Sequence, residues 1–291
     1  MGHTIQNDFL SVTVAEQGAE CMSIRSADGT EYLWQGDSAY WKDRAPTLFP
    51  FIGRLTKNRC RCYGEEYPMG IHGFAAHQRF SVAEKSGSRL VLELGSNEET
   101  RTQYPFDFLL QIAFELEKNR LHISYRVENH SERTMPFAIG GHPGFRVPLK
   151  EGEAFTDYVL EFSRCCQPDR VGFTPAVYLS GRDEAYPLEE GRRMHLSHDM
   201  FNEDAVILKN MDRSITLRSQ KSGRGVTVSY PQMAYLGIWH MPNTHAPYVC
   251  IEPWTSLPSR QDVIEELTCK SDMIQLEPKG IYRNTWTISL F

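Results

Sequence analysis

His142 is the residue of this sequence whose setting most clearly suits proton transfer. It lies in the stretch FAIGGHPGF, directly after Gly140 and Gly141 and directly before Pro143, at the end of an otherwise apolar segment. Glycines allow close backbone approach or unusual dihedral angles, and proline fixes the chain that follows. These neighbours predict an imidazole held still at the end of a strand. The alternative is a buried turn histidine bonded to a backbone carbonyl.

Glu252 is the carboxylate that stands in the least polar context. It ends the run YVCIE and is followed by Pro253 and Trp254. Desolvation raises the basicity of a carboxylate, which suits a general base. The alternative is a structural salt bridge with an arginine, for which Arg54 is a candidate, because ion pairs also perturb carboxylates.

Arg54 and His72 are further polar residues in apolar surroundings. Arg54 follows a glycine in FPFIGRL, where an unpaired guanidinium would be costly, so an acceptor from the protein or from a ligand is predicted. His72 precedes Gly73 and an aromatic residue in GIHGF, which repeats the setting of His142. The alternatives are a structural ion pair for Arg54 and a core histidine for His72.

Other candidates are weaker. Asp204 in NEDAVILKN opens a predicted strand, which is also an ordinary place for aspartate, and Trp239 in GIWHM is either a core residue or a flat stacking surface. His240 follows Trp239 in an apolar setting, whereas His122 falls on the polar face of a strand. The remaining histidines are predicted to be ordinary surface groups: His3, His77, His130, His195, His198 and His245.

Together these residues predict proton transfer on a neutral polar ligand. The sequence has no nucleophilic serine or cysteine motif, no phosphate-binding loop and no metal-ligand triad, so neither a metal site nor a cofactor is predicted. A carbohydrate fits, because aromatic faces stack on its C–H groups while charged side chains bind its hydroxyls.

Strands must position these residues. In RLHISYRVEN, apolar and polar residues alternate with period two, and the preceding LLQIAFELEKN is also strand-like, so residues 109–128 predict a hairpin. Similar runs recur along the chain: SRLVLEL, DYVLEF, DAVILKN, SITLRS, GVTVSY, YLGIWHM, YVCIEPW and TWTISLF.

Helical signals are scarce. The best is PSRQDVIEELTCK, where Ser259 is placed to cap a short helix after Pro258. Many strands with almost no helix predict an all-β fold, a large antiparallel β-sandwich. No repeat or linker marks a boundary, so residues 1–291 are predicted to form a single domain.

Composition excludes several classes of partner. The net charge is −6 and no basic run is present, which argues against nucleic acid and anionic membranes. The N-terminus lacks the features of a signal peptide, and no apolar run is long enough to span a membrane, so a cytoplasmic protein is predicted. The seven cysteines suit a reducing compartment, and their spacing does not match a structural zinc site.

The chain resembles the aldose 1-epimerase, or galactose mutarotase-like, family, and more closely its LacX-like branch. The matching segments, in order, are FPFIGRL, GIHGF, GGHPGF, DAVIL, LGIWHMPN and VCIEPW. The early segment VTVAEQGAECMSIRSADGTEYLW also resembles the family's opening hairpins.

This resemblance implies a β-supersandwich that interconverts the α and β anomers of an aldose, a hexose, without a cofactor. It implies that His142 is the general acid acting on the ring oxygen and that Glu252 is the general base acting on the anomeric hydroxyl. Arg54 and His72 would bind sugar hydroxyls or the ring oxygen. Asp204 matches a substrate-binding aspartate only through a short D-x-x-x-L run.

Two other functions stay open from the residues. A glycoside hydrolase usually needs two carboxylates facing one bond, and only Glu252 has a convincing setting. A non-catalytic carbohydrate-binding or sensing protein would use the same Trp239, Arg54 and Glu252 without turning the sugar over. A metal-binding barrel is a weaker alternative, because His72 and His142 lack close His-x-His spacing.

Overall fold

The fold is built almost entirely from antiparallel strands, as the alternation of apolar and polar residues predicts. The computed structural model describes residues 1–291. Strand accounts for 45% and helix for 7% of the chain. The strands, in chain order, are β1 (Gly2–Gln6), β2 (Leu10–Ala15), β3 (Cys21–Ser26), β4 (Thr47–Leu48), β5 (Arg59–Cys62), β6 (Glu65–Pro68), β7 (Ser81–Lys85), β8 (Arg89–Gly95), β9 (Phe108–Glu117), β10 (Arg120–Asn129), β11 (Met135–Phe137), β12 (Gly140–Gly141), β13 (Gly144–Arg146), β14 (Tyr158–Phe162), β15 (Asp169–Arg170), β16 (Glu184–Ala185), β17 (Arg193–His195), β18 (Val206–Lys209), β19 (Ser214–Ser219), β20 (Gly225–Ser229), β21 (Tyr235–Trp239), β22 (Tyr248–Trp254), β23 (Ile274–Leu276) and β24 (Ile281–Leu290).

Two large sheets carry the architecture. One has nine strands in the order β17-β14-β19-β20-β24-β10-β9-β8-β7. The other has eight, in the order β16-β15-β18-β21-β22-β12-β4, with β13 paired to β22. Smaller sheets are formed by β1-β2-β3, β5-β6 and β11-β23.

The two large sheets face each other across a common core. A Cβ atom added to Gly141 of β12 would lie 2.5 Å from the indole of Trp286 on β24, so glycine is needed for the sheets to approach there. One cluster of 68 buried residues draws on both sheets. The predicted hairpin is confirmed as β9 and β10, whose register pairs Leu121 with Leu116 and Val127 with Leu110.

Helix is confined to short pieces. The single α-helix, α1, spans Glu98–Gln103 and begins with a capping box, in which Asn97 Oδ1 accepts from Thr100 N and Thr100 Oγ1 accepts from Asn97 N. Four 3-10 turns complete the set: Thr56–Asn58, Ala75–His77, Phe155–Asp157 and His198–Phe201. No helix has the length and apolar character that crossing a membrane requires.

The helix predicted in PSRQDVIEELTCK is wrong. Asp262 has a φ of +59°, which a right-handed helix does not accommodate. The Glu265 carboxylate turns back to Arg260, accepting from its backbone N, Nε and Nη2 at 2.9–3.0 Å. Ser259 Oγ accepts from the backbone N of Thr56 instead of capping a helix. Tertiary hydrogen bonds therefore override the local helical pattern.

Candidate functional site

Strand β22 carries the centre of the site. Its side chains alternate between two buried faces: Val249 and Ile251 belong to the main core, whereas Tyr248 and Cys250 belong to a separate small cluster with Trp34. Glu252 follows on the same face as Tyr248 and Cys250, because successive strand residues point to opposite faces. Glu252 is only 1% exposed. A strand buried on both sides explains the unbroken apolar run around this carboxylate.

Glycine makes room for the Glu252 side chain. The neighbouring strand β21 places Gly237 opposite Glu252. A Cβ atom at Gly237 would lie 3.3 Å from Glu252 Cβ and 3.0 Å from the Trp254 ring. Contacts of 3.0 Å are too short for ordinary packing, so this position favours glycine for steric reasons.

The sequence around His142 is pinned to β22 from both sides. Gly140 pairs with Trp254 and Gly144 pairs with Cys250, while Ile251 N donates to Pro143 O over 3.1 Å. Neither Gly140 nor Gly141 has a positive φ, so the two glycines serve close approach rather than unusual dihedral angles. The backbone therefore fixes His142 beside Glu252.

The structure brings His142 and Glu252 together. His142 Nε2 lies 3.1 Å from Glu252 Oε2, and both side chains are buried. The orientation is not that of a hydrogen bond, and neither Glu252 Oε2 nor His142 Nδ1 has a hydrogen-bond partner. Buried polar atoms normally have partners, so Glu252 Oε2, which faces His142 Nε2, is available to a ligand.

Burial shifts the protonation of both groups toward their neutral forms. Desolvation, and then the proximity of His72, lowers the pKa of His142 well below its ordinary value. Desolvation, and then the negative charge of Asp204, raises the pKa of Glu252 well above its ordinary value. The two groups therefore share a single proton over a wide range of pH.

His72 lies next to this pair in a strained but well-anchored conformation. Its φ is +63°, and its ring is nearly perpendicular to that of His142, with the centroids 5.5 Å apart. His72 Nδ1 accepts from Gly53 N at 3.1 Å, and His72 N donates to Gly53 O at 3.0 Å. Burial, and then the charge of Arg54, lowers the pKa of His72 to about 4. The neutral ring therefore carries its proton on Nε2 and offers a donor.

Arg54 is exposed, although the apolar residues around it in the sequence predict that it is buried. Phe51, Ile52 and Leu55 are buried, but the Arg54 side chain is exposed and forms no salt bridge. The alternative of an ion pair between Arg54 and Glu252 is therefore wrong, since Glu252 contacts His142 instead. Exposure to water removes the need for a protein acceptor, and Arg54 remains close enough to affect the pKa of His72.

Asp204 and Trp239 both lie near the pair. Asp204 is half-buried with a φ of +83°, precedes β18 by two residues, and acts on Glu252 through its charge. It also lines an open cleft of about 1390 Å³ with Arg170 and Asn202, and neither His142 nor Glu252 is among the lining residues of that cleft. Trp239, also half-buried, meets the His142 ring edge-on, with centroids 5.8 Å apart.

Trp41 is a site residue that the sequence interpretation missed. Its ring is tilted by 31° over the His142 ring, with centroids 4.9 Å apart. The loop that carries it is fixed because Trp34 Nε1 donates to Trp41 O, and Gly144 N donates to Arg44 O, both at 2.8 Å. Gly144 again allows the approach, since a Cβ atom there would lie 3.0 Å from Trp41. The only sequence signal was the density of aromatic residues in YLWQGDSAYW.

His240 is not brought into this constellation. It is fully buried, and its Nδ1 donates to Met241 O at 2.8 Å, so His240 Nε2 accepts from His198 Nδ1 at 3.0 Å. His198 is half-buried and stacks on Phe155 with centroids 4.0 Å apart, which corrects its interpretation as an ordinary surface group. One hydrogen bond therefore joins the two histidines, and both ring nitrogens of His240 have partners.

Comparison with known proteins points to one family over the whole fold. A sequence model described as aldose 1-epimerase matches residues 1–263. The chain is 32% identical to protein LacX (plasmid) of Lactococcus lactis subsp. lactis, over 98% of each chain. Among solved structures, a galactose mutarotase related enzyme from Lactobacillus acidophilus shares 32% identity over 100% of this chain and 97% of that one, with a TM-score of 0.95. A galactose mutarotase-like protein from Lactobacillus casei ATCC 334 shares 33% identity over 100% of both chains, with a TM-score of 0.93.

Proposed function

The chain belongs to the aldose 1-epimerase family, and from this premise we propose that it interconverts the α and β anomers of a hexose by acid-base catalysis. The observation that carries the proposal is the 3.1 Å separation of His142 Nε2 and Glu252 Oε2 in a buried position. The ring oxygen and the anomeric hydroxyl oxygen of a pyranose are both bonded to C1. Groups that transfer protons to and from these two atoms must therefore lie side by side.

We propose that His142 acts as the acid and Glu252 as the base. The reaction uses the ionised form of the pair, in which the shared proton lies on His142. The imidazolium gives this proton to the ring oxygen as the bond between C1 and that oxygen breaks, and the Glu252 carboxylate takes the proton of the C1 hydroxyl as the aldehyde forms. Rotation about the C1–C2 bond and reversal of both transfers closes the ring on the other face. The pair holds one proton before and after opening, so no external acid or base is consumed.

Burial favours the ring-opening step in this scheme. Opening converts an ionised imidazolium-carboxylate pair into a neutral pair, and desolvation penalises the ionised form of both groups. The hydroxyls of the bound sugar supply hydrogen bonds that the closed-ring state needs. The unpartnered Glu252 Oε2 fits this requirement for a polar ligand.

The surrounding residues are proposed to bind the sugar. His72 offers its Nε2 proton to a hydroxyl or to the ring oxygen, and the exposed Arg54 offers donors at the rim. Asp204 offers a carboxylate acceptor near Glu252, while Trp239 presents an aromatic surface for C–H groups. A glycoside hydrolase finds less support, because the nearest partner of Glu252 is an imidazole rather than a second carboxylate.

The test is polarimetry on freshly dissolved α-glucose and α-galactose, with and without their 6-phosphates. We expect the purified protein to accelerate the approach to anomeric equilibrium of at least one aldose, and to release no phenol from aryl glycosides. A rate equal to that of spontaneous mutarotation, with sugar binding detected by calorimetry, would assign a non-catalytic sugar-binding protein. Release of phenol would assign a hydrolase.

A further inference from the structure

A third metal-binding side chain lies beside the proposed catalytic pair. Cys250 Sγ, a ring nitrogen of His142 and a carboxylate oxygen of Glu252 all lie within 4.8 Å of one another. All three residues are buried, and Cys250 is fully so. No spacing in the sequence predicts this group, because His142 and Cys250 are distant in the chain.

The sheet holds these three ligands in place. Cys250 and Glu252 are two residues apart on β22, so their side chains leave the same face of the strand. The pairing of Gly144 with Cys250 places the His142 segment directly alongside. Ligands fixed by main-chain pairing need little reorganisation to close around an ion, which favours binding.

One of the three ligands has an acceptor atom without a partner. Glu252 Oε2 is buried with no hydrogen-bond partner, and His142 Nε2 faces it at 3.1 Å. A sugar accounts for the imidazole and the carboxylate but gives no role to a thiol. A set of one sulfur, one imidazole nitrogen and one carboxylate oxygen matches zinc, which binds three protein ligands and leaves a fourth position for water.

We propose that Cys250, His142 and Glu252 form a zinc-binding site and that zinc blocks epimerisation by occupying the catalytic pair. Binding displaces two protons to the buffer, the thiol proton of Cys250 and the proton shared by His142 and Glu252, so the ion is held by a thiolate, a neutral imidazole and a carboxylate. The bound ion takes the lone pairs that the sugar reaction needs. The inhibition of epimerisation by zinc rests on the proposed function, whereas the binding of zinc does not.

Binding is tested by titrating the purified full-length protein with ZnCl₂ against a chromophoric chelator, in the absence of sugar. We expect one tight site in the wild-type protein and affinity weakened about 10-fold or more in Cys250→Ser. Cys269→Ser is the matched control, because Cys269 is exposed and free, and it is expected to bind like the wild type. Equal affinity of the wild type and Cys250→Ser would overturn the proposal.

Two further measurements test the zinc site and its effect on activity separately, and the first does so without any variant that could fail to fold. Co²⁺ added to the wild-type protein is expected to give a thiolate-to-cobalt charge-transfer band that Zn²⁺ abolishes, and absence of this band overturns the site without any variant. In polarimetry, zinc is expected to slow the enzyme and EDTA to restore it. If zinc binds tightly through Cys250 but the epimerisation rate does not fall, the proposed inhibition is wrong while the zinc site stands. If the protein has no epimerase activity, the zinc titration alone decides whether the site exists.

Discussion

At the residue scale, the proposed chemistry depends on two groups whose neutral forms are favoured by burial. Exposed histidine and glutamate would form an ion pair near neutrality, whereas here the pKa of His142 is lowered and that of Glu252 is raised. The shared proton makes the pair a single titrating unit, and its apparent pKa values belong to both residues. Trp41 and Trp239 pack against the buried ring of His142.

The pH dependence of kcat/KM follows from these directions. The pair gains a second proton only at a pH below the ordinary pKa of histidine, because the pKa of His142 is lowered. The pair loses its shared proton only at a pH above the ordinary pKa of glutamate, because the pKa of Glu252 is raised. We expect the catalysed rate, corrected for spontaneous mutarotation, to pass through about pH 6.5 without an inflection. A single ionisation centred at that pH would show instead that an unperturbed histidine controls the reaction.

At the scale of elements, glycines in three strands set the distances between the site and its supports. Gly141 allows β12 to approach β24, Gly237 leaves room for Glu252, and Gly144 leaves room for Trp41. We expect Gly141→Ala to cost about 1–3 kcal/mol in free energy of unfolding, because its Cβ would overlap the rigid Trp286 ring.

Urea denaturation followed by tryptophan fluorescence measures this cost. Gly95→Ala is the matched control, since Gly95 also belongs to a strand but a Cβ atom added there would meet no heavy atom within 4 Å. We expect the control to change stability little. Equal stability of the two variants would show that the sheets have room to separate at Gly141.

Individual elements were predicted better than the contacts between them. Period-two alternation identified β10, and similar strand-like runs identified β9, β22 and β24, because each buries a regular set of apolar residues. The helix after Pro258 failed because Glu265 turns back to Arg260, a contact that no local pattern encodes. The pairing order of the sheets, and with it the positions of Trp41 and Cys250, depends on long-range contacts that one sequence does not reveal.

For the molecule as a whole, buried histidines make stability depend on pH. The pKa values of His72 and His240 are lowered to about 4, and those of His142 and His198 are also lowered, each chiefly by burial. Between about pH 4 and the ordinary value of about 6.5, the unfolded chain binds protons at these histidines that the folded chain does not. The free energy of unfolding that these neutral histidines contribute is therefore fully present above about pH 6.5 and is lost as the pH falls toward about 4. The raised pKa of Glu252 acts in the opposite direction, but it is one group against four.

The free energy of unfolding in urea is thus expected to be lower at about pH 5 than at about pH 7. His240→Asn removes one of the four histidines without touching the proposed catalytic pair, and the difference between the two pH values should shrink in that variant. Equal stability of the wild type at both pH values would contradict the neutral state assigned to these rings.

The most direct test of the account is a double-mutant cycle measured by polarimetry on the aldose with the highest rate. If His142 and Glu252 transfer protons as one unit, His142→Ala and Glu252→Gln each lower kcat/KM by about 10²–10⁴-fold, and the double variant is hardly slower than the slower single variant. Thermal unfolding of each variant confirms that the protein is folded. Folded single variants with near wild-type rates, or losses that multiply in the double variant, would contradict concerted proton transfer by this pair.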